Sequence, residues 1–139
     1  MSFTLDSRLE NSSLLIASIE AFQIRLVNDK RYIWLLIIPA ISDITELDDL
    51  EPKTQTALFQ IASQLSSSVK SHFQADKMNI ATIGNIVSQF HLHIVARKQT
   101  DATWPEPVWG KGIAEPYSNE DAGAMMAQMQ KLIDALPPL

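Results

Sequence analysis

From Phe22 to Val27 the chain alternates, with Phe22, Ile24 and Leu26 to one side and Gln23 and Arg25 to the other. Successive side chains of an extended chain point to opposite faces, so this is the pattern of a strand with one buried face. Leu14, Leu15, Ile16 and Ile19 suggest a short strand before it, and residues 1–12 are polar enough to lie on the surface, with room for one helical turn. Asn28-Asp29-Lys30-Arg31 is turn-like, and Tyr32 to Ile38 is nearly all apolar until Pro39 stops it. Two strands joined by a few polar residues predict an antiparallel hairpin.

The period then changes. Ile41 to Leu50 is a loop holding Asp43, Glu46, Asp48 and Asp49. After Pro52, suited to a first helical turn, Leu58, Ile61, Ala62, Leu65 and Val69 recur at helical spacing and predict an amphipathic helix ending near Ala75. Met78 to Ile83 reads as a strand, Gly84-Asn85 as a turn, and Ile86 to Arg97 as the longest strand. Residues 98–117 hold Trp104, Pro105, Pro107, Trp109, Gly110 and Gly112, a composition that excludes regular helix or central strand. Ser118, with Asp121 three residues on, fits the start of a last helix over about 118–136. Its apolar face is Ala122, Met125, Met126, Met129, Leu132, Ile133 and Leu136, and core packing is the ordinary use of such a face. The order predicts a single α+β domain over 1–139, with an antiparallel sheet of about five strands and two main helices.

Composition narrows the choice of function. The 139 residues are 46% apolar and 19% charged, with a net charge of −5, which disfavours a nucleic-acid backbone as partner. Cysteine is absent, so thiol nucleophiles and disulfides are excluded. The longest apolar run, Ile33 to Ala40, is too short to cross a bilayer. The first ten residues lack a basic stretch leading into an apolar one, so a cytoplasmic location is expected and the sequon Asn11-Ser12-Ser13 is a chance match.

The concentrated chemistry lies in Gln89-Phe90-His91-Leu92-His93-Ile94-Val95, which carries two of the three histidines. If the whole stretch is a strand, Gln89, His91, His93 and Val95 share one face, and Phe90, Leu92 and Ile94 share an apolar one. Imidazole can be a nucleophile, a proton donor, a hydrogen-bond donor to phosphate or a metal ligand. Two of them on one face can converge on a phosphate-sized group, chelate a metal, or merely line an exposed strand. A zinc site wants further ligands. His72 falls at the edge of the long helix's apolar stripe, and the acidic residues of the Asp43–Asp49 loop show no ligand spacing. No Gly-x-Ser-x-Gly elbow or glycine-rich phosphate loop is present.

At this stretch the sequence resembles the histidine triad (HIT) family, whose signature is His-φ-His-φ-His-φ-φ with φ hydrophobic. Gln89 stands at the first histidine's place. Trp34 to Pro39 before an acidic loop is similar to the family's strand ending in Ile-Pro, and Trp104-Pro105 resembles the Trp-Pro that follows the triad in one branch. The likeness spans roughly residues 14–110.

The resemblance implies a nucleotide-binding protein that cleaves nucleotidyl groups from phosphate or amine. His91 would attack the α-phosphorus to form a nucleotidyl-histidine intermediate, and His93 would hydrogen-bond a phosphate oxygen. Gln89 would donate from its amide, Asn28 and Asp29 would face the ribose, and Asn79 would line the phosphate site. Trp34, where the family often has a further histidine, and Trp104 would shape the pocket. It further implies a homodimer, for which the C-terminal helix and the Trp104–Trp109 segment are candidates to form the interface or to shape the pocket, with no metal and no cofactor required. Gln89 cannot become cationic, so the site has one proton donor fewer. Two alternatives stand beside this one: a nucleotide-binding protein of the same fold with little turnover, and a metal-binding His-x-His protein.

Overall fold

The computed structural model describes residues 2–139. Five strands form one antiparallel sheet in the order β1-β2-β3-β5-β4. They are β1 (Ser13–Ile19), β2 (Phe22–Val27), β3 (Ile33–Pro39), β4 (Lys77–Ala81) and β5 (Leu92–Arg97), accompanied by helices α1 (Ser7–Ser12), α2 (Pro52–Phe73) and α3 (Asn119–Asp134). This is the expected α+β architecture. β1 to β3 form a meander, and α2 then carries the chain over the sheet to its far edge. β5 enters between β3 and β4, pairing Leu36 with His93 and Ala81 with His93.

One sheet face makes the main core. Phe22, Ile24 and Leu26 of β2, Leu35 and Ile37 of β3, and Leu92 and Ile94 of β5 meet Leu58, Ile61, Leu65 and Val69 of α2 and Met129 and Ile133 of α3. Each large apolar side chain fully withdrawn from water stabilises the fold by roughly 1.5–3 kcal/mol. That burial is why α2 holds its course for 22 residues. α2 begins with Pro at its first turn and ends at Gln74, whose φ of 54° turns the chain out of the helix. α3 starts at Ser118, whose side chain accepts a hydrogen bond from the Asp121 backbone N–H.

The opposite face carries a smaller cluster of Leu9, Leu36, Ile38 and Val87, against which Phe3, Leu5 and Trp34 pack. The N-terminal arm and α1 thus cover part of this face, so Arg25, on the polar side of β2, is only 6% exposed. Its guanidinium donates to the Ser13 hydroxyl at 2.7 Å and to the Gln23 side chain at 3.1 Å.

Two strand boundaries differ from the sequence pattern. β4 ends at Ala81 rather than Ile83. The larger difference is that the histidine stretch is not one strand from Ile86: β5 starts only at Leu92. Gly84, at φ 70°, turns the chain off the sheet. The segment after it is then held by other partners, the Phe90 N–H bonding the Ile44 carbonyl in the loop before α2. The alternation read from Gln89 onward extends past the strand's start, because the backbone before Leu92 finds its partners outside the sheet.

Candidate active site

His91 sits just before β5 and His93 at its second position, each 7% exposed. Their ring centroids are 4.8 Å apart at an interplanar angle of 66°. Both line an open cleft of about 480 Å³ on the sheet face opposite the main core. One wall is apolar, with Leu9, Ile83 and Val87, and the opposite rim carries Arg31 and Lys111.

Each imidazole has one nitrogen committed. His91 Nδ1 lies 2.7 Å from the Gln89 carbonyl oxygen. A carbonyl only accepts, so Nδ1 carries a proton, and in the neutral ring the lone pair is the one on Nε2. His93 Nδ1 lies 3.0 Å from Trp34 Nε1. An indole N–H only donates, so the His93 proton is on Nε2. Two adjacent histidines therefore hold opposite tautomers: His91 offers a lone pair and His93 offers an N–H. Burial, and next the charge of His91, push the His93 pKa down from 6.5 to about 3, which keeps that ring neutral.

An aromatic wall fixes the His93 ring. Trp34 lies 5.7 Å and Trp109 5.2 Å from it between centroids, and the two indoles meet edge to face at 6.1 Å. Trp109 Nε1 is buried with no hydrogen-bond partner among the described residues.

The other residues singled out in the sequence are placed differently. Gln89 does not share a face with the histidines, because the chain there is not yet extended. Its side chain turns to the N-terminal arm, accepting from the Asp6 N–H at 2.8 Å and donating to the Thr4 carbonyl at 2.9 Å. Only its backbone carbonyl serves His91. The Asn28 side chain accepts the Tyr117 N–H at 2.9 Å. Asp29 lines the cleft but is 2% exposed and paired with Arg31 at 2.8 Å, and it also accepts the Glu115 N–H. Burial works to raise its pKa, yet the Arg31 guanidinium and backbone N–H donors hold it below the ordinary value. Both side chains, expected at a ribose, bind the 110–117 segment, which straps across the β2–β3 turn through these contacts and through Arg31 to the Lys111 carbonyl. Gly112 lets the strap come close: a Cβ there would stand 2.8 Å from Arg31 Nη1.

Asn79, on β4, accepts from Arg97 Nη1 at 3.1 Å and is not in the cleft. Trp104 is also outside it. Its ring lies 5.5 Å from the Arg97 guanidinium, and its backbone N–H donates to Asp101. The cleft tryptophans are Trp34 and Trp109. His72 is exposed and pairs with the Gln128 side chain. Sequence reasoning passed over Arg31 and Lys111 as site residues, whereas Trp109 closes the Trp104–Trp109 segment expected at the pocket or an interface. Gly110, at φ 74°, turns the chain beside the cleft.

Such a pair can supply a nucleophile beside a hydrogen-bond donor, a set suited to phosphoryl chemistry. Metal binding finds less support, since no group of three or more His, Cys, Asp or Glu converges among the described residues.

The comparisons with known proteins define the family to which this fold belongs. Residues 8–100 match the model of the HIT domain. A histidine triad protein from Sinorhizobium meliloti 1021 is 40% identical over 93% of this chain and 96% of its own, with a TM-score of 0.90. One from Marinobacter aquaeolei VT8 is 35% identical over 99% and 100%, with a TM-score of 0.95. A third, from Bradyrhizobium japonicum, is 32% identical over 96% and 99%, with a TM-score of 0.92. None of the curated proteins matches the chain. The chain belongs to the histidine triad (HIT) family, whose members usually bind nucleotides and include hydrolases and transferases.

Proposed function

We propose that this protein is a nucleotidyl hydrolase or transferase that works through a covalent nucleotidyl-His91 intermediate. The observation that carries this reading is the hydrogen bond from His91 Nδ1 to the Gln89 carbonyl, which leaves Nε2 unprotonated at the cleft. The Nε2 lone pair attacks the α-phosphorus, and the leaving group takes the electron pair of the bond that breaks. Water or another acceptor then displaces His91. The His93 Nε2–H donates to a phosphate oxygen and stabilises charge there as the bonds change. The apolar wall takes the nucleoside, and Arg31 and Lys111 stand at the rim to meet negative charge. No step in this scheme requires a metal or a cofactor.

The test is to incubate the protein with dinucleoside polyphosphates, denature in alkali, and locate added nucleotidyl mass by peptide mapping. Label on His91 is expected. His91→Ala should lose the label and, as for removal of a catalytic nucleophile generally, turnover by on the order of 10³-fold or more, with an unchanged circular dichroism spectrum. Nucleotide binding with neither label nor turnover would favour the second reading, a binding protein of the same fold.

A homodimer belongs to the same proposal. β4 is an edge strand of the sheet, with Ile80 45% exposed, and Phe59 on the neighbouring long helix is 48% exposed. Unpaired edge strands flanked by exposed apolar groups favour pairing with another chain. Light scattering should give twice the chain mass, and Ile80→Lys should return it to the monomer.

A further inference from the structure

We propose that this site has no general acid for the departing group, so it acts only on nucleotidyl compounds whose leaving group is stable as a free anion. The inference rests on the His91 reading above. It is drawn from where each proton in the cleft is held.

The His91 Nδ1 proton is given to the Gln89 carbonyl. Gln89 itself, at the first position of the motif, aims its amide at Thr4 and Asp6 and away from the cleft. His93 has an N–H at Nε2, but it is the only proton on a neutral ring. Surrendering it would leave an imidazolate. His93 is not recharged through Nδ1, because that nitrogen faces the Trp34 N–H. A neutral imidazole so placed donates a hydrogen bond and does not hand over a proton. Asp29 is held as the carboxylate partner of Arg31, and a guanidinium keeps its protons. The remaining cleft cation is Lys111, whose ammonium is paired with Glu106 at the rim. Arg31 and Lys111 can neutralise an outgoing anion without protonating it.

The step balances without an acid. The His91 Nε2 pair forms the P–N bond, the P–O bond breaks, and its electrons leave on oxygen as a phosphate, pyrophosphate, carboxylate or acidic phenolate. Water then forms the new P–O bond, His91 departs neutral, and the water's proton passes to solvent. An amine leaving group lacks this route, because its nitrogen must be protonated to leave. Alkoxides are equally poor, being strongly basic. The chemical class assigned is therefore the mixed anhydride or acidic ester of a nucleoside 5′-phosphate, not its phosphoramidates.

The test is a series of substituted-phenyl esters of adenosine and guanosine 5′-monophosphate, with phenols of rising pKa, beside the corresponding phosphoramidates. Values of kcat/KM report the nucleotidyl-transfer step. They should fall on the order of fivefold or more for each unit of phenol pKa, as expected of departure without proton donation, and the phosphoramidates should be inert. A flat series, or brisk phosphoramidate cleavage, overturns the inference. So does a flat series that turns steep in Lys111→Gln, which would name Lys111 as the acid. Label on His91 alongside a flat series refutes this inference alone. Absence of both label and turnover with every ester removes the His91 reading and this inference together.

Discussion

The Trp34–His93 pair shows how one side chain sets the state of another. An indole N–H forces His93 Nδ1 to accept, and burial keeps the ring neutral. The linkage to stability has a definite sign. In the unfolded chain His93 titrates near 6.5, and in the fold near 3. Between those values the unfolded state binds a proton that the folded state refuses, so stability falls as pH falls through the window, by up to ~1.4 kcal/mol per pH unit. His91, Trp34 and Trp109 stand against the ring, Leu36 and Ala81 are its cross-strand partners, and His91 is the titratable group in contact with it. Urea titrations from pH 6.5 down to 4.5, above the range where Asp29 and Asp101 protonate, should show the loss. His93→Gln, whose side-chain oxygen can still accept the Trp34 N–H, should flatten it. Equal slopes in the two proteins would mean that the proton on His93 is not what the fold excludes.

At the scale of elements, the segment from β5 to α3 depends on a pair that the sequence pattern did not mark. Arg97, 1% exposed at the end of β5, is paired with Asp101 at 2.8 Å and also donates to Asn79 and Thr103. Asp101 in turn accepts the N–H groups of Lys98, Thr103 and Trp104, which shapes the turn into the Trp-Pro stretch. Asp101→Asn keeps an oxygen for the Thr103 and Trp104 N–H groups, but it sets an NH2 against the Lys98 N–H and Arg97 Nε–H and leaves a buried guanidinium without its counter-charge. Such a loss costs about 3–5 kcal/mol, to be read from chemical denaturation. A change within experimental error would show that Asn79 and Thr103 suffice for Arg97. Asn79, expected at a phosphate, thus belongs to this structural network. An asparagine on a strand beside a histidine motif looks the same in sequence whichever partner it takes.

At the scale of the molecule, what could be read from the chain was what depends on near neighbours. Alternation in Phe22–Val27 and the helical spacing from Leu58 to Val69 located β2 and α2, because burial of one face imposes a local period. The insertion of β5 between β3 and β4 left no such mark, since it is set by pairing across more than fifty residues of chain. The same reason hid the partners of Gln89, Asn28 and Asp29. Each is a polar side chain beside a motif, and each takes a partner remote in sequence: the N-terminal arm for Gln89, and the 110–117 strap for Asn28 and for Asp29, which Arg31 holds as well from two residues away. His91 and His93 were legible because their spacing is itself local, although the strand argument for their shared face holds only from Leu92 onward. Among the described residues no helix is long and apolar enough to cross a membrane.

Gln89 joins two things that lie on opposite sides of its own backbone. Its carbonyl orients the His91 ring, and its side chain grips residues 4 and 6. The arm holding residues 4 and 6 is thereby in mechanical series with the His91 ring, the proposed nucleophile, and an affinity tag fused ahead of that arm is not inert cargo. Removal of residues 2–5 should lower turnover several-fold and weaken His91 labelling while α2 and the main core melt as before. Moving the tag to the other end should leave both rates intact. Kinetic constants measured on N-terminally fused preparations would then describe the fusion as much as the protein itself.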